Sequence, residues 1–136
     1  MATIQQREFC KAIYEAAKKL NIISPTFVTA QACLESAWGA KKIGQYNIFG
    51  ITKNKSGKYV YKVYRYFKNF HSYEECLQEH LRILQKPGYA DAWPYRKNAR
   101  EFAKRIADNK GSKYATDPNY YKTMCAMISS VEKIVG

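Results

Sequence analysis

The strongest constraint on this fold is the run Gln31-Ala-Cys-Leu-Glu-Ser-Ala-Trp-Gly39, which places one glutamate in an otherwise apolar helical segment. On a helix Glu35 has Gln31 and Trp38 as neighbours one turn away. A carboxyl group beside an indole is poorly solvated when charged, so we expect Glu35 to hold a proton that it can donate to a leaving oxygen. The alternative is a glutamate at the solvent-facing edge of the helix, where most glutamates lie.

Apolar spacing and capping signals predict five helices. They cover 4–20, 25–38, 72–86, 98 to about 111, and 117–135. The last is expected to bury Tyr121, Met124, Cys125, Ile128, Val131 and Val135. A turn at 54–57 before the β-branched and aromatic run 58–67 predicts a hairpin. The expected fold class is α+β and predominantly α, a helical domain with one short β-hairpin, and residues 1–136 are predicted to form one domain.

Charge narrows the choice of partner. Lys+Arg 23 against Asp+Glu 11 gives a net charge of +12, which favours an anionic partner such as nucleic acid, an anionic membrane surface or an anionic wall polymer. The chain carries no zinc-finger, RNP or basic-helix signature, so specific nucleic-acid binding is not predicted. No stretch reaches transmembrane length and the N-terminus lacks the apolar run of a signal peptide, so membrane insertion is not expected.

The sequence does not predict a metal centre. Its four cysteines are Cys10, Cys33, Cys76 and Cys125. They form no C-x-x-C pair and have no metal-ligand spacing with His71 or His80, so we expect four free thiols, no metal and no cofactor. Two disulfides are the alternative. Neither histidine has triad partners at a recognisable spacing, and both are expected on the surface or on a helix face.

Three motifs occur in order along the chain: Gln31-x-x-x-Glu35-Ser36-x-Trp38-Gly39, Asn47-Ile-Phe-Gly-Ile51 and Tyr114-Ala-Thr-Asp-Pro118. From about Ser24 to the C-terminus the chain resembles the glucosaminidase domains of glycoside hydrolase family 73, which includes flagellar and autolytic peptidoglycan hydrolases. The resemblance implies a lysozyme-like fold with a groove for glycan strands. It also implies hydrolysis of the β-1,4 bond between N-acetylglucosamine and N-acetylmuramic acid.

The resemblance also assigns roles by position. It implies that Glu35 is the general acid and that Tyr114 lines the site near the acetamido group. Asn47, Phe49 and Gly50 match the loop at the groove floor, although Phe49 by itself reads as a core residue. Trp38 is a further candidate for substrate binding, with a place in the core as the equal alternative.

One departure from the family concerns the second carboxylate. Many members carry a functional glutamate on the hairpin, whereas residues 51–70 here contain no Asp or Glu. A two-carboxylate mechanism needs a partner roughly 5 to 9.5 Å from the acid, and Asp117 and Glu75 are candidates. Without a partner, the substrate's own 2-acetamido oxygen is expected to stabilise the oxocarbenium-like centre.

Other activities stay open on the sequence alone. A muramidase or lytic transglycosylase shares the Gln31-to-Ser36 pattern, and a catalytically inactive, basic glycan-binding module would explain the missing hairpin carboxylate. We expect a monomer that acts on peptidoglycan strands at the bacterial cell wall. It would be made in the cytoplasm and delivered by phage lysis or a secretion system, or be excised from a longer secreted protein.

Overall fold

The computed structural model describes residues 2–53, 59–61, 69–108 and 118–136. Within these ranges the helices are α1 (Ile4–Leu20), α2 (Pro25–Glu35), α3 (Tyr73–Leu84), α4 (Ala99–Ala107) and α5 (Tyr120–Val135). Two short strands, β1 (Ile51–Lys53) and β2 (Tyr59–Tyr61), lie between α2 and α3, and single 3-10 turns at Pro87–Tyr89 and Trp93–Tyr95 lead into α4. The predicted α-dominated α+β class is confirmed.

The helices begin where their capping residues predict. Thr3 and Gln6 form a reciprocal capping box at α1. The Ser24 hydroxyl accepts the Phe27 N–H at 3.2 Å, with Pro25 as the first residue of α2. Equivalent side-chain caps come from Ser72 at α3 and Asn98 at α4. Local chemistry therefore sets most of the helix starts.

The core surrounds α2, which packs against α1, α4 and α5. Its residues from Phe27 to Cys33 are all buried, as expected for a helix that is apolar on most of its circumference. The Phe27 ring meets that of Phe102 on α4 edge to face, with 4.7 Å between the ring centroids. Residues at the C-terminal end of α2 are therefore held on three sides.

The last helix differs from the sequence prediction in its first residue and in its buried face. The predicted start at Asp117-Pro118 is wrong for Pro118, because α5 begins at Tyr120 after a turn; Asp117 itself lies outside the described residues. The prediction that Tyr121 points inward is also wrong, since its side chain is 39% exposed. Spacings of four, four and three residues put the buried face on Tyr120, Met124, Ile128 and Val131.

The remaining predictions on the fold have mixed outcomes. The two strands pair antiparallel with Ile51 opposite Tyr61, which confirms the hairpin, whereas the turn at 54–57 and residues 62–67 lie outside the described residues. All four cysteines are free thiols, and those of Cys10 and Cys33 are hydrogen-bonded between α1 and α2. Among the described residues no helix is long and apolar enough to cross a bilayer.

Candidate active site

The C-terminal end of α2 fixes the position of Glu35, which is the last residue of the helix and is half-buried. The Trp38 N–H donates to the Cys33 carbonyl at 2.8 Å, and Ala37 has a positive φ of 48°. A left-handed residue after the helix cap, closed by this bond, is the Schellman pattern of helix termination. Glu35 therefore lies where the negative end of the helix dipole opposes a negative charge.

Two small residues after Glu35 brace this helix end. The buried Ser36 hydroxyl donates to the Ala32 carbonyl at 2.6 Å and accepts the Gly39 N–H at 2.9 Å. Gly39 has a φ of 89°, and a Cβ there would lie 2.6 Å from Cδ1 of Phe9. Only glycine fits both that backbone and that approach to α1. The geometry at the end of α2 therefore explains why Ser36 and Gly39 follow Glu35 in the sequence.

Trp38 does not lie where the sequence predicted. Because α2 ends at Glu35, Trp38 (φ 58°) is not its neighbour on the next helical turn. The indole is half-buried in a cleft between α1 and the C-terminal part of α5, which Arg7 and Lys133 also line. The expectation that the indole desolvates Glu35 along a helix is therefore wrong. A substrate-binding role for Trp38 stays a prediction.

A chain of buried polar side chains lies one turn before Glu35. The Oε1 atom of Gln31 is 2.8 Å from Nε2 of His80 on α3, and Nε2 of Gln31 donates to the Tyr120 hydroxyl at 3.4 Å. All three side chains are nearly or completely buried. These contacts join α2, α3 and the start of α5 at a point on α2 one helical turn before Glu35.

Of the two positions predicted for His80, on the surface or on a helix face, the structure shows the second, on the buried face of α3. Its ring is fully buried and stacks on Phe49, with 3.7 Å between the ring centroids and 5° between the planes. Burial lowers the pKa of His80 to about 3, so the ring is neutral near neutral pH. His71, in contrast, is exposed as expected.

Tyr120 is the site residue that sequence reasoning missed. Burial raises the pKa of Tyr120, the hydrogen bond from Gln31 opposes that rise, and the negative charge of Glu35 adds to it. Tyr120 therefore keeps its proton and lies within the electrostatic reach of Glu35. The spacing 120, 124, 128 was the signal that could have identified it as a buried residue.

The loop before β1 is held by its own contacts. The Asn47 amide donates to the Ile51 carbonyl at 2.9 Å, and its oxygen accepts the Ile51 N–H at 3.0 Å. Asn47 and Phe49 are both 1% exposed, and Gly50 is buried with a φ of 65°. Asn47 and Phe49 therefore shape the loop from inside, and their contact with a glycan stays a prediction, as it does for Gly50.

Two of the sequence candidates lie outside the described residues. These are Tyr114 and Asp117. The other candidate for a second carboxylate, Glu75, is half-buried in the first turn of α3, where its N–H is capped by the Ser72 hydroxyl. Across the described ranges no group of histidine, cysteine, aspartate and glutamate side chains is arranged to hold a metal ion. The site therefore offers one braced carboxyl group and a buried hydrogen-bond chain.

An acid at the end of a buried helix, followed by a loop and a short hairpin, defines a lysozyme-like glycoside hydrolase domain. The chain belongs to the Glucosaminidase family, described as mannosyl-glycoprotein endo-beta-N-acetylglucosaminidase, whose model matches residues 10–133. The glycoside hydrolase domain of FlgJ from Salmonella typhimurium superposes with a TM-score of 0.76 at 25% identity, covering 95% of this chain and 89% of that domain. The resemblance to glycoside hydrolase family 73 is confirmed.

Two curated relatives place the family in context. A probable N-acetylmuramidase from Lactococcus lactis is 33% identical over 94% of this chain and 34% of its own length. The peptidoglycan hydrolase FlgJ of Escherichia coli is 30% identical over 79% of this chain and 40% of its own length. The chain thus spans between a third and two fifths of these relatives.

Proposed function

We propose that this domain hydrolyses peptidoglycan as an endo-β-N-acetylglucosaminidase, with Glu35 as its general acid. The observation that carries the proposal is the position of Glu35 at the braced end of α2 in a chain of the Glucosaminidase family. Relatives named as a peptidoglycan hydrolase and an autolysin support peptidoglycan as the substrate. The net charge of +12 suits attraction to an anionic cell wall.

In the proposed reaction Glu35 gives its proton to the glycosidic oxygen as the bond to the leaving sugar breaks. The developing positive charge at the anomeric carbon then needs a nucleophile or a stabilising oxygen. Because residues 51–70 supply no carboxylate, the 2-acetamido oxygen of N-acetylglucosamine is our proposed partner, as in other substrate-assisted glycosidases. The acetamido oxygen bonds to the anomeric carbon as the leaving sugar departs. Water then attacks that carbon, breaks the new bond to the acetamido oxygen and returns a proton to Glu35.

Several finer points belong to the same proposal. Tyr114 contacts the acetamido group, as its motif implies, and the chain acts on the wall as a monomer formed by one domain over residues 1–136. Delivery to the wall follows a lysis or secretion route, or the domain is part of a longer secreted protein.

A muramidase is the second candidate, and one observation favours it. The relative from Lactococcus lactis is named a probable N-acetylmuramidase. The two activities cut alternate bonds of the same strand, so they leave different sugars at the new reducing end. A lytic transglycosylase would leave anhydro ends, because the sugar's own hydroxyl replaces water as the attacking group.

The test is digestion of purified peptidoglycan, followed by reduction of the new ends and mass spectrometry of the fragments. Reduced N-acetylglucosamine is expected, whereas reduced N-acetylmuramic acid or anhydro ends would assign one of the alternatives. Glu35→Gln keeps the shape of the side chain and removes the donated proton, so turnover should fall by about a hundredfold or more. The matched control is Glu15→Gln, at an exposed position of α1, which should retain full turnover. A folded Glu35→Gln protein with normal turnover would refute the assignment.

A further inference from the structure

Positive charge lines the cleft between α1 and the C-terminal part of α5. The cleft has a volume of about 540 Å³ and is lined by Arg7, Lys11 and Lys133 together with the Trp38 indole. No aspartate or glutamate occurs among the described residues that line it. Arg7 and Lys11 are four residues apart on α1, so they are neighbours on one face of the helix, where like charges repel each other. An anion bound in the cleft would relieve that repulsion.

The three cations have no carboxylate partner within the ranges that the structure describes. Three other exposed arginines each have one, in the pairs Arg82–Glu79, Arg100–Glu132 and Arg105–Glu101. Glu8 and Glu15, the acidic residues of α1, are both exposed and neither lines the cleft. The cleft therefore presents excess positive charge to solvent, which complements an anionic ligand.

The cleft is close in the chain to the proposed acid. Trp38 follows Glu35 by three residues, so their Cα atoms are at most about 11 Å apart. Gly39 packs against Phe9, which lies between the two cations of α1 in the sequence, so this part of α1 meets the same helix end. A group that branches from a glycan strand held at Glu35 can therefore reach the cleft if its length is comparable with this distance.

Peptidoglycan carries a branch of suitable length and charge. Stem peptides on its muramic acid sugars bear free carboxylates, and an extended stem of four residues spans about 13 Å. We propose that the cleft between α1 and α5 binds the carboxylates of this acidic stem peptide. The inference rests on the proposed function, because the stem belongs to the strand that Glu35 cleaves.

The chemistry of the lining suits such a peptide. The planar guanidinium of Arg7 can donate to both oxygens of one carboxylate, and each lysine ammonium supplies a point charge for another. The half-buried indole of Trp38 offers an apolar face to the aliphatic side chains of the stem. Because these contacts are made equally in the bound substrate and in the transition state, they should lower KM and leave kcat unchanged.

The first experiment measures binding without turnover. Trp38 and Trp93 are the two tryptophans of the chain, so Trp93→Phe leaves Trp38 as the only indole, and its fluorescence reports on the cleft. A synthetic stem tetrapeptide that carries no sugar should change this fluorescence in a saturable way, with a Kd of about 1 mM. The same peptide with its carboxylates amidated should cause no saturable change, because the cations recognise charge and not bulk. The absence of a saturable change with the free acid would overturn the proposal.

Two double variants test which charges are responsible. Arg7→Gln with Lys133→Gln removes one cation from each side of the cleft, and it should weaken binding of the stem peptide by about tenfold or more. Lys18→Gln with Lys104→Gln is the matched control, because it removes the same charge from exposed positions outside the cleft. The control should bind as tightly as the parent protein, and thermal denaturation confirms that each variant is folded. Equal weakening by both pairs would mean that the peptide responds to net charge alone, which refutes a site in the cleft.

Kinetics on two substrates connect the cleft to the reaction. On glycan strands that carry stems, Arg7→Gln with Lys133→Gln should raise KM by about tenfold with kcat within about twofold, and on strands stripped of their stems both constants should match wild type. An equal rise in KM on both strands would place the charges against the glycan and overturn the proposal, as would no rise on either. Weaker binding only of a polymer whose anions are phosphodiesters would assign the cleft to that polymer instead. Turnover by Glu35→Gln at the wild-type rate would end the proposed function, whereas saturable binding of the free stem peptide would still stand.

Discussion

Acidification is expected to destabilise this fold through His80. Burial lowers the pKa of His80 from its ordinary 6.5 to about 3, whereas unfolding exposes the ring to water. Between these values the unfolded state binds one more proton than the folded state, so the unfolding free energy falls as the pH falls. Each pH unit is worth about 1.4 kcal/mol, so lowering the pH from about 7 to about 4.5 should cost about 2.5 kcal/mol.

The assay is urea denaturation followed by circular dichroism at a series of pH values, for wild type and His80→Gln. Glutamine can still donate to Gln31 but does not titrate, so the difference between the two curves isolates the ionisation of His80. Carboxylates such as Glu132, whose pKa is lowered by its hydrogen bond with Arg100, affect both proteins equally and cancel. His71→Gln, at an exposed position, is the matched control and should run parallel to wild type.

Between about pH 7 and about pH 4.5 the unfolding free energy of wild type should fall by about 2.5 kcal/mol more than that of His80→Gln. The difference in unfolding free energy between the two proteins should therefore shift by that amount in favour of His80→Gln. Parallel curves for wild type and His80→Gln across this window would refute the reasoning. They would mean that the folded protein accepts a proton on His80 as readily as the unfolded chain does.

Two further predictions concern the helix end and the substrate. Gly39→Ala should lower the unfolding free energy by about 2 kcal/mol or more, because the new Cβ meets Phe9 at 2.6 Å on a backbone with positive φ. Gly44→Ala, where the nearest atom is 3.7 Å away and only φ is unfavourable, should cost about 1 kcal/mol, and equal losses in chemical denaturation would contradict the steric explanation. Tyr114→Phe should lower kcat more than it raises KM on peptidoglycan, and de-N-acetylated strands should be very poor substrates. Equally fast cleavage of acetylated and de-N-acetylated strands would exclude substrate assistance.

The starts of four helices could be predicted because they depend on neighbouring residues. Thr3 with Gln6, Ser24 with Pro25, Ser72 and Asn98 each act within one helical turn. The family was predictable for a related reason, since the motif around Glu35 is contiguous in the sequence. Glu35, Ser36 and Gly39 all lie in one short segment, so a local sequence pattern is enough to identify them.

The end of α2 could not be predicted in the same way. An apolar pattern that runs to Trp38 is compatible with three more helical residues, and intrinsic preferences do not favour left-handed backbone at Ala37 or Trp38. The close approach of α1 determines where α2 ends, because Phe9 packs against Gly39, which lies 30 positions later in the sequence. Because α2 ends at Glu35, Trp38 lies in the cleft between α1 and α5 and not beside Glu35 on a further helical turn.

The sequence by itself determined the helical class, the capping of the helices and the residue that serves as the candidate acid. Only the tertiary structure decided which polar side chains meet one helical turn before that residue. Gln31 is 49 positions from His80 and 89 from Tyr120, so no local pattern relates them. They meet because α2 is buried among its neighbouring helices, where a polar group must find its partner in another element or lose its hydrogen bond.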